Sequence, residues 1–170
     1  MKSAILLSIL LLTGLFGCQP VSEEGTDKNE RQKAVVNMYV DSCWNKHKLL
    51  SIHELMTKDF TRNLNGITVA NGQKEFEAYI KNFIRAFPTM KIKIDTMIEK
   101  DRQVVTTWTF EGTNTGEFAE YLPTGKKAKV SGVSLFRFNE EGKIIREDTY
   151  YNELYLLQQL GYTLNPPNLK

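Results

Sequence analysis

The hydrophobic rhythm of this chain changes once, at Pro88, and that change limits the folds open to it. Before Pro88, apolar residues recur every three or four positions. Phe76, Tyr79, Ile80, Phe83, Ile84 and Phe87 form one stripe at helical period. Upstream, Val35, Met38, Tyr39 and Cys43 mark an amphipathic helix from about Asn29 to Lys48. Ser51, with Glu54 three residues on, has the form of a capping box opening a short helix through Leu55 and Met56. Phe60–Leu64 reads as a short extended piece, and Asn71-Gly72 breaks the chain. From Met90 onward the period is two. Ile92 and Ile94 alternate with Lys91, Lys93 and Asp95. Val104, Thr106, Trp108 and Phe110 alternate with Thr107, Thr109 and Glu111. Val130, Ser134, Phe136 and Phe138 follow the same logic. Helices first and strands later specify an α+β fold with an antiparallel sheet, not alternating βαβ units. The expected order is helix, helix, short strand, helix, four longer strands and a last short helix.

The start of the chain bears on compartment. Lys2 supplies a minimal positive region, and Ala4–Leu12 is an apolar run too short to span a bilayer. Leu15-Phe16-Gly17-Cys18 follows, and Leu-x-Gly-Cys resembles the lipobox of bacterial lipoproteins. The resemblance implies a signal peptide over residues 1–17, cleavage before Cys18, and acylation of the Cys18 sulfur and the new amino group. Gln19 in place of Asp gives no inner-membrane retention signal. The expected location is therefore the bacterial cell envelope, lipid-anchored in the outer membrane and facing the periplasm. Residues 18–29 are the lipidated cysteine and a polar segment that reads as a flexible tether. The globular domain is expected over 30–162, enough for one core. Residues 163–170, carrying Pro166-Pro167, read as a loose tail.

Several chemistries find no support. The formal net charge is +2 and the positive residues are dispersed, which gives no footprint for nucleic acid. With Cys18 assigned to lipid, Cys43 has no disulfide partner; beside Trp44 in a helical pattern it reads as a buried, inert thiol. His47 and His53 lack zinc spacing and a third ligand, so no metal site is expected, and no cofactor. No Gly-rich phosphate loop, serine-nucleophile elbow or Cys-x-x-Cys motif is present.

The stretch from Gly112 to Gly161 carries four short motifs in a fixed order. They are Gly112-Thr-Asn-Thr-Gly116, Pro123-Thr-Gly-Lys126, Gly142-Lys143-Ile144, and Leu156-Leu-Gln-Gln-Leu-Gly161. Together they resemble the SnoaL-like polyketide cyclases, a branch of the nuclear transport factor 2-like superfamily. The resemblance implies a cystatin-like cone, a curved sheet wrapped around the N-terminal helices with a pocket at its open end. That fold hosts isomerases, dehydratases, cyclases and plain binding modules, so it does not fix the activity.

The family's cyclases use a pocket aspartate as acid/base and a histidine on a neighbouring strand. Anchored on Gly142-Lys143-Ile144 and Gln159-Leu160-Gly161, the resemblance puts the acid at Thr149 and the histidine at Ser134. A frequent pre-helix aspartate falls on Asn152. None of these three side chains takes a proton from carbon near neutral pH. Glu147 shares strand parity with Thr149 and is the best remaining acid; the competing reading is a rim or solvated carboxylate. Arg146, Asp148, Glu111 and Arg137 have outward parity. The expected pocket lining is Trp108, Ser134, Phe136, Thr149, Tyr151 and Asn152, with Phe118 and Tyr121 on a loop over the mouth. Three functions stay open. The first is an envelope lipoprotein whose SnoaL-like domain binds a small apolar or aromatic molecule without cyclase activity. The second is an ester cyclase or isomerase-like enzyme using Glu147. The third is a homodimeric interaction module without a ligand.

Overall fold

The computed structural model describes residues 23–118 and 120–166, with side chains from residue 30 onward. Cys18, the expected signal peptide before it and the last residues of the tail lie outside the described residues. Among the described residues there are four α-helices: α1 (Glu23–Tyr39), α2 (Ser51–Leu55), α3 (Gln73–Ala86) and α4 (Glu153–Leu160). Six strands form one sheet: β1 (Met56–Leu64), β2 (Ile67–Asn71), β3 (Lys91–Lys100), β4 (Gln103–Thr113), β5 (Lys127–Phe138) and β6 (Ile144–Tyr151). The order across the sheet is β2-β1-β6-β5-β4-β3. The sheet curves without closing, and the helices pack in its concavity to give the expected α+β cone.

Some local expectations need correction. α1 begins at Glu23, inside the segment read as tether, where acidic residues near a helix N-terminus suit the helix dipole. It does not run on to Lys48 as an α-helix. From Val40 to Asn45 the turns widen to a π-helix, with Lys46 N–H bonded to the Asp41 carbonyl at 2.9 Å. The wider turn lets Val40, Cys43 and Trp44 all face inward, after Tyr39 at the end of α1. Ser51 does not cap α2: Leu50 holds the cap position, with no side-chain cap bond. β2 is absent from the expected order; it is a short, largely exposed edge strand in which only Ala70 is buried. The sheet is not wholly antiparallel either, because β1 runs parallel to β6.

The core follows the two periodicities. Phe76 and Ile80 of α3 are fully buried against Phe60 of β1, and Phe76 also meets Tyr39. Val104, Phe110, Val130, Phe136 and Phe138 bury the inner face of β4 and β5. In α4, Leu156 and Leu160 are buried, whereas Leu157, one position round the helix from Leu156, is only half-buried.

Two motifs of the sequence meet at Asn114. Its amide donates to the Ala86 carbonyl at 3.2 Å and to the Gly116 carbonyl at 2.8 Å. Its carbonyl accepts from the Thr124 N–H at 2.8 Å and the Thr124 hydroxyl at 3.0 Å. Gly116 lies so near the end of α3 that a Cβ there would stand 1.8 Å from the Arg85 carbonyl oxygen. The loop is thus pinned to α3, and Phe118 reaches the rings of Phe83 and Phe87 at 5.6 and 5.8 Å. Tyr121 is exposed and rests edge-on against Tyr162 at 5.1 Å.

Candidate functional site

The concavity of the cone holds a cavity of about 50 Å³. Its floor is polar and its walls are aromatic. Alternation on β6 turns Glu147, Thr149 and Tyr151 inward; register pairs Ser134 of β5 with Thr149, and Thr106 of β4 with Ser134. Glu147 is therefore no rim carboxylate: it is 3% exposed.

Its acceptor positions are filled. Oε2 accepts from the Tyr39 hydroxyl at 2.9 Å and from Arg62 Nη1 in a short ion pair. Oε1 accepts from Ser134 Oγ at 2.9 Å and Thr149 Oγ1 at 3.1 Å. The two hydroxyls also touch one another. Ser134 Oγ in turn accepts from the Trp108 indole N–H at 3.0 Å, which fixes that ring. Gly132 allows the ring to lie there, since a Cβ at this position would stand 2.3 Å from Trp108 Cζ2.

Arg62 is the residue the sequence reading missed. It is 5% exposed, and its guanidinium carbon stands 5.2 Å from the Tyr79 ring centre and 5.3 Å from that of Trp44. Burial alone would lower its pKa, but the Glu147 carboxylate, then Tyr39 and Tyr79, raise it, so Arg62 stays charged. Burial, followed by the neighbouring Glu147 charge, pushes the Tyr39 phenol well above its usual range. Tyr39 thus donates as a neutral hydroxyl. Burial also raises Tyr79 and Tyr151. A signal for Arg62 was available: it alternates in phase with Phe60 and Leu64, both buried.

Of the residues expected to line the pocket, Trp108, Ser134, Phe136, Thr149 and Tyr151 stand on the cavity, as does Glu147. Asn152 does not. It is exposed and is the N-cap of α4, its side chain accepting from the Tyr155 N–H at 2.9 Å. An Asn directly before a helical run is a cap signal, and that local role takes the side chain away from the pocket. Phe118 reaches the cavity wall at Phe83; Tyr121 does not. Glu111 and Arg137 point outward and are not paired with each other: Glu111 meets Lys129, and Arg137 meets Asp148. His53 bridges to Gln73 and Glu77, at 2.8 and 2.9 Å, and ties α2 to α3. Among the described residues no cluster of metal-ligating side chains is present. No helix among them is long and apolar enough to cross a membrane.

The family model described as SnoaL-like polyketide cyclase matches residues 33–160. The chain belongs to the SnoaL-like polyketide cyclase family. Solved structures agree on the SnoaL-like fold. A protein of Jannaschia sp. CCS1, provisionally named a SnoaL-like polyketide cyclase, superposes with a TM-score of 0.74 at 19% identity, covering 86% of this chain and 99% of that one. AclR from Streptomyces galilaeus, provisionally named a hydroxylase, gives 0.70 at 23% identity over 83% of this chain and 91% of its own. IdmH from Streptomyces antibioticus, provisionally named a polyketide cyclase, gives 0.66 at 19% identity over 77% and 99%. No curated protein matches the sequence. At these identities the likeness speaks for the fold alone. Within the SnoaL-like frame, Thr149 and Ser134 sit side by side on the cavity floor, and both hydroxyls are turned to Glu147.

Proposed function

We propose that this SnoaL-like domain binds a small molecule in its cone and does not run the family's ring closure. The observation that carries this reading is the saturation of Glu147. Abstracting a proton from carbon needs a free carboxylate lone pair facing the substrate. Both Glu147 oxygens are already taken by Tyr39, Arg62, Ser134 and Thr149. The carboxylate reads as a tie between β1, β6 and α1, not as a base. The walls of the cavity favour binding, with Trp108 and Tyr151 edge-to-face at 5.8 Å beside half-buried Tyr79 and Phe83.

Size narrows the ligand. A cavity of about 50 Å³ is small beside ligand pockets of roughly 300–1,000 Å³. An engineered apolar cavity needs about 150 Å³ to hold benzene. A compact molecule fits the cone as it stands. An aromatic ligand requires Trp108 and Tyr151 to move apart.

The test is a panel of small ketones, lipids, aromatic acids and terpenoid-like compounds followed by tryptophan fluorescence, alongside turnover of a generic cyclase substrate. The expected result is at least one binder, weakened by about 1–3 kcal/mol in Trp108→Ala, and no turnover above buffer. Turnover that vanishes in Glu147→Gln sinks this reading in favour of an enzyme with a displaced carboxylate, the alternative favoured by the position of Glu147 inside the cavity.

The proposal extends to location: an envelope lipoprotein anchored through acylated Cys18 in the outer membrane. The sequence Leu15-Phe16-Gly17-Cys18 supports it, and several acyl chains at about 0.8 kcal/mol per buried methylene make such an anchor stable. Mass spectrometry of the native protein should find an acylglyceryl group on a chain starting at Cys18. An unmodified, soluble mature chain contradicts it.

A further inference from the structure

Two buried donors at the cavity have no hydrogen-bond partner among the described residues. Arg62 commits Nη1 to Glu147 and Tyr39, yet its Nε makes no hydrogen bond although the residue is almost wholly buried. The Tyr151 hydroxyl is also buried and unpartnered. Both residues line the cavity. Native proteins rarely leave such groups unpaired, because each costs its full desolvation penalty. The contrast with the rest of the floor is informative. Trp108 N–H, the Ser134 and Thr149 hydroxyls, Tyr39 and Glu147 are all engaged with one another. The fully buried donors left without an acceptor among the described residues of this floor include one guanidinium N–H and one phenol O–H.

Charge narrows the class further. Arg62 is already neutralised by Glu147 at contact distance. A ligand anion would bring an uncompensated charge beside a buried carboxylate, and a ligand cation would sit against a buried guanidinium. Neither is favoured in a floor whose charges balance.

We infer that the cavity selects a compact, uncharged molecule bearing a carbonyl-type oxygen, which accepts from the Tyr151 hydroxyl and Arg62 Nε–H while its apolar part rests against Trp108 and Tyr79. This rests on the small-molecule reading above and adds the chemical class. A ligand that lacks the oxygen leaves both donors unpaired, which is the strongest form of discrimination such a site has. The cavity volume holds the class to a few heavy atoms unless the walls open.

The experiment uses three probes that share a four-membered ring: cyclobutanone, its near-isosteric hydrocarbon methylenecyclobutane, and the larger, charged cyclobutanecarboxylate. Binding is read from the tryptophan indole resonances by NMR titration, and hydrogen bonding from the infrared carbonyl stretch of bound cyclobutanone. Cyclobutanone should bind about tenfold more tightly than the hydrocarbon, the range expected for hydrogen bonds to otherwise unpaired donors. Its stretch should fall in frequency on binding. Tyr151→Phe keeps the ring and the core, so it should fold; it should remove most of the preference and part of the frequency shift. Equal binding of ketone and hydrocarbon overturns the inference but leaves the small-molecule reading intact, as does tightest binding of the carboxylate. An unchanged preference in Tyr151→Phe also overturns it. If none of the three binds while the wider panel gives a hit, the class is wrong. If neither set binds, both readings fall.

Discussion

Glu147 and Asp148 are neighbours in sequence and occupy opposite sides of one sheet. Each is a carboxylate held by arginine. Glu147, inside the cone, has 4% of its side chain exposed and pairs with Arg62, at 6%. Asp148, outside, has 8% exposed, but its partners Arg137 and Arg146 have 38% and 45% exposed. Asp148 Oδ1 accepts from Asn63 at 2.7 Å and from Arg146 Nη2 at 2.8 Å; Oδ2 accepts from Arg137 at 2.5 Å. The inner pair is almost wholly buried, with the guanidinium set against the Trp44, Phe76 and Tyr79 rings. The outer set is wet on one side. The same chemistry therefore carries different energetics: the inner pair is costly to break, and the outer cluster is adjustable.

The largest effect should come from halving the inner pair. Arg62→Met strands the Glu147 charge and removes the guanidinium from the Trp44, Phe76 and Tyr79 rings. Urea unfolding should show a loss of about 3–5 kcal/mol. The double variant Arg62→Met, Glu147→Met removes both charges, and should lose markedly less than the single one. A double variant as unstable as the sum of the singles would mean that the two charges contribute independently, and that stranding one of them is not what sets the cost.

A smaller effect, with a pH signature, belongs to the outer side. The hydrogen bonds from Arg146 lower the Asp148 pKa from 3.8 to about 2, against burial and helped by Asn63 and Arg137. A depressed folded pKa contributes stability that is complete above the unfolded value and fades as pH falls through the folded one. The window is therefore pH 4 down to pH 2. With partners this exposed, the contribution is about 1–2 kcal/mol after screening. Stability of the parent should fall across that window. Asp148→Asn should start lower at pH 7 and lack this part of the slope. An identical acid limb in the two proteins would show that Asp148 is not the titrating group.

The two sides were not equally legible in sequence. Parity with Thr149, a position set by the family resemblance, put Glu147 on the pocket side and Asp148 and Arg146 on the other, with a rim carboxylate as the competing reading. Parity opposite to Phe136 and Phe138 put Arg137 outside, and a one-residue error would flip every side chain. Arg62 was missed because β1 was read only as a short extended piece, so a charge in phase with Phe60 and Leu64 went unweighed. The partner of Glu147 comes from a strand 85 positions away, and the parallel β1–β6 pairing that joins them leaves no local mark. The π-turn that follows Tyr39 is hidden as well, since apolar spacing of three and four fits an α-helix and a π-bulge alike. Asn152 shows the opposite error. A family position suggested a pocket role, while the local cap signal before Glu153 was the stronger determinant.

The smallest effect tests whether redundancy, not only exposure, separates the two sides. Arg137 gives Asp148 one of several bonds, and it is more than a third exposed. Arg137→Met leaves Asp148 with Arg146 on both oxygens and Asn63 on Oδ1. No buried charge is stranded, so the variant should lose under about 1 kcal/mol, and less still at high salt. Arg62 has no such understudy: Tyr39, Ser134 and Thr149 bring Glu147 hydrogen bonds but no charge. Arg137→Met and Arg62→Met delete the same group from carboxylates one residue apart. A loss in the outer variant close to that in the inner one would erase the distinction, and would place the energetics in the arginine–carboxylate contact itself instead of in the solvent around it.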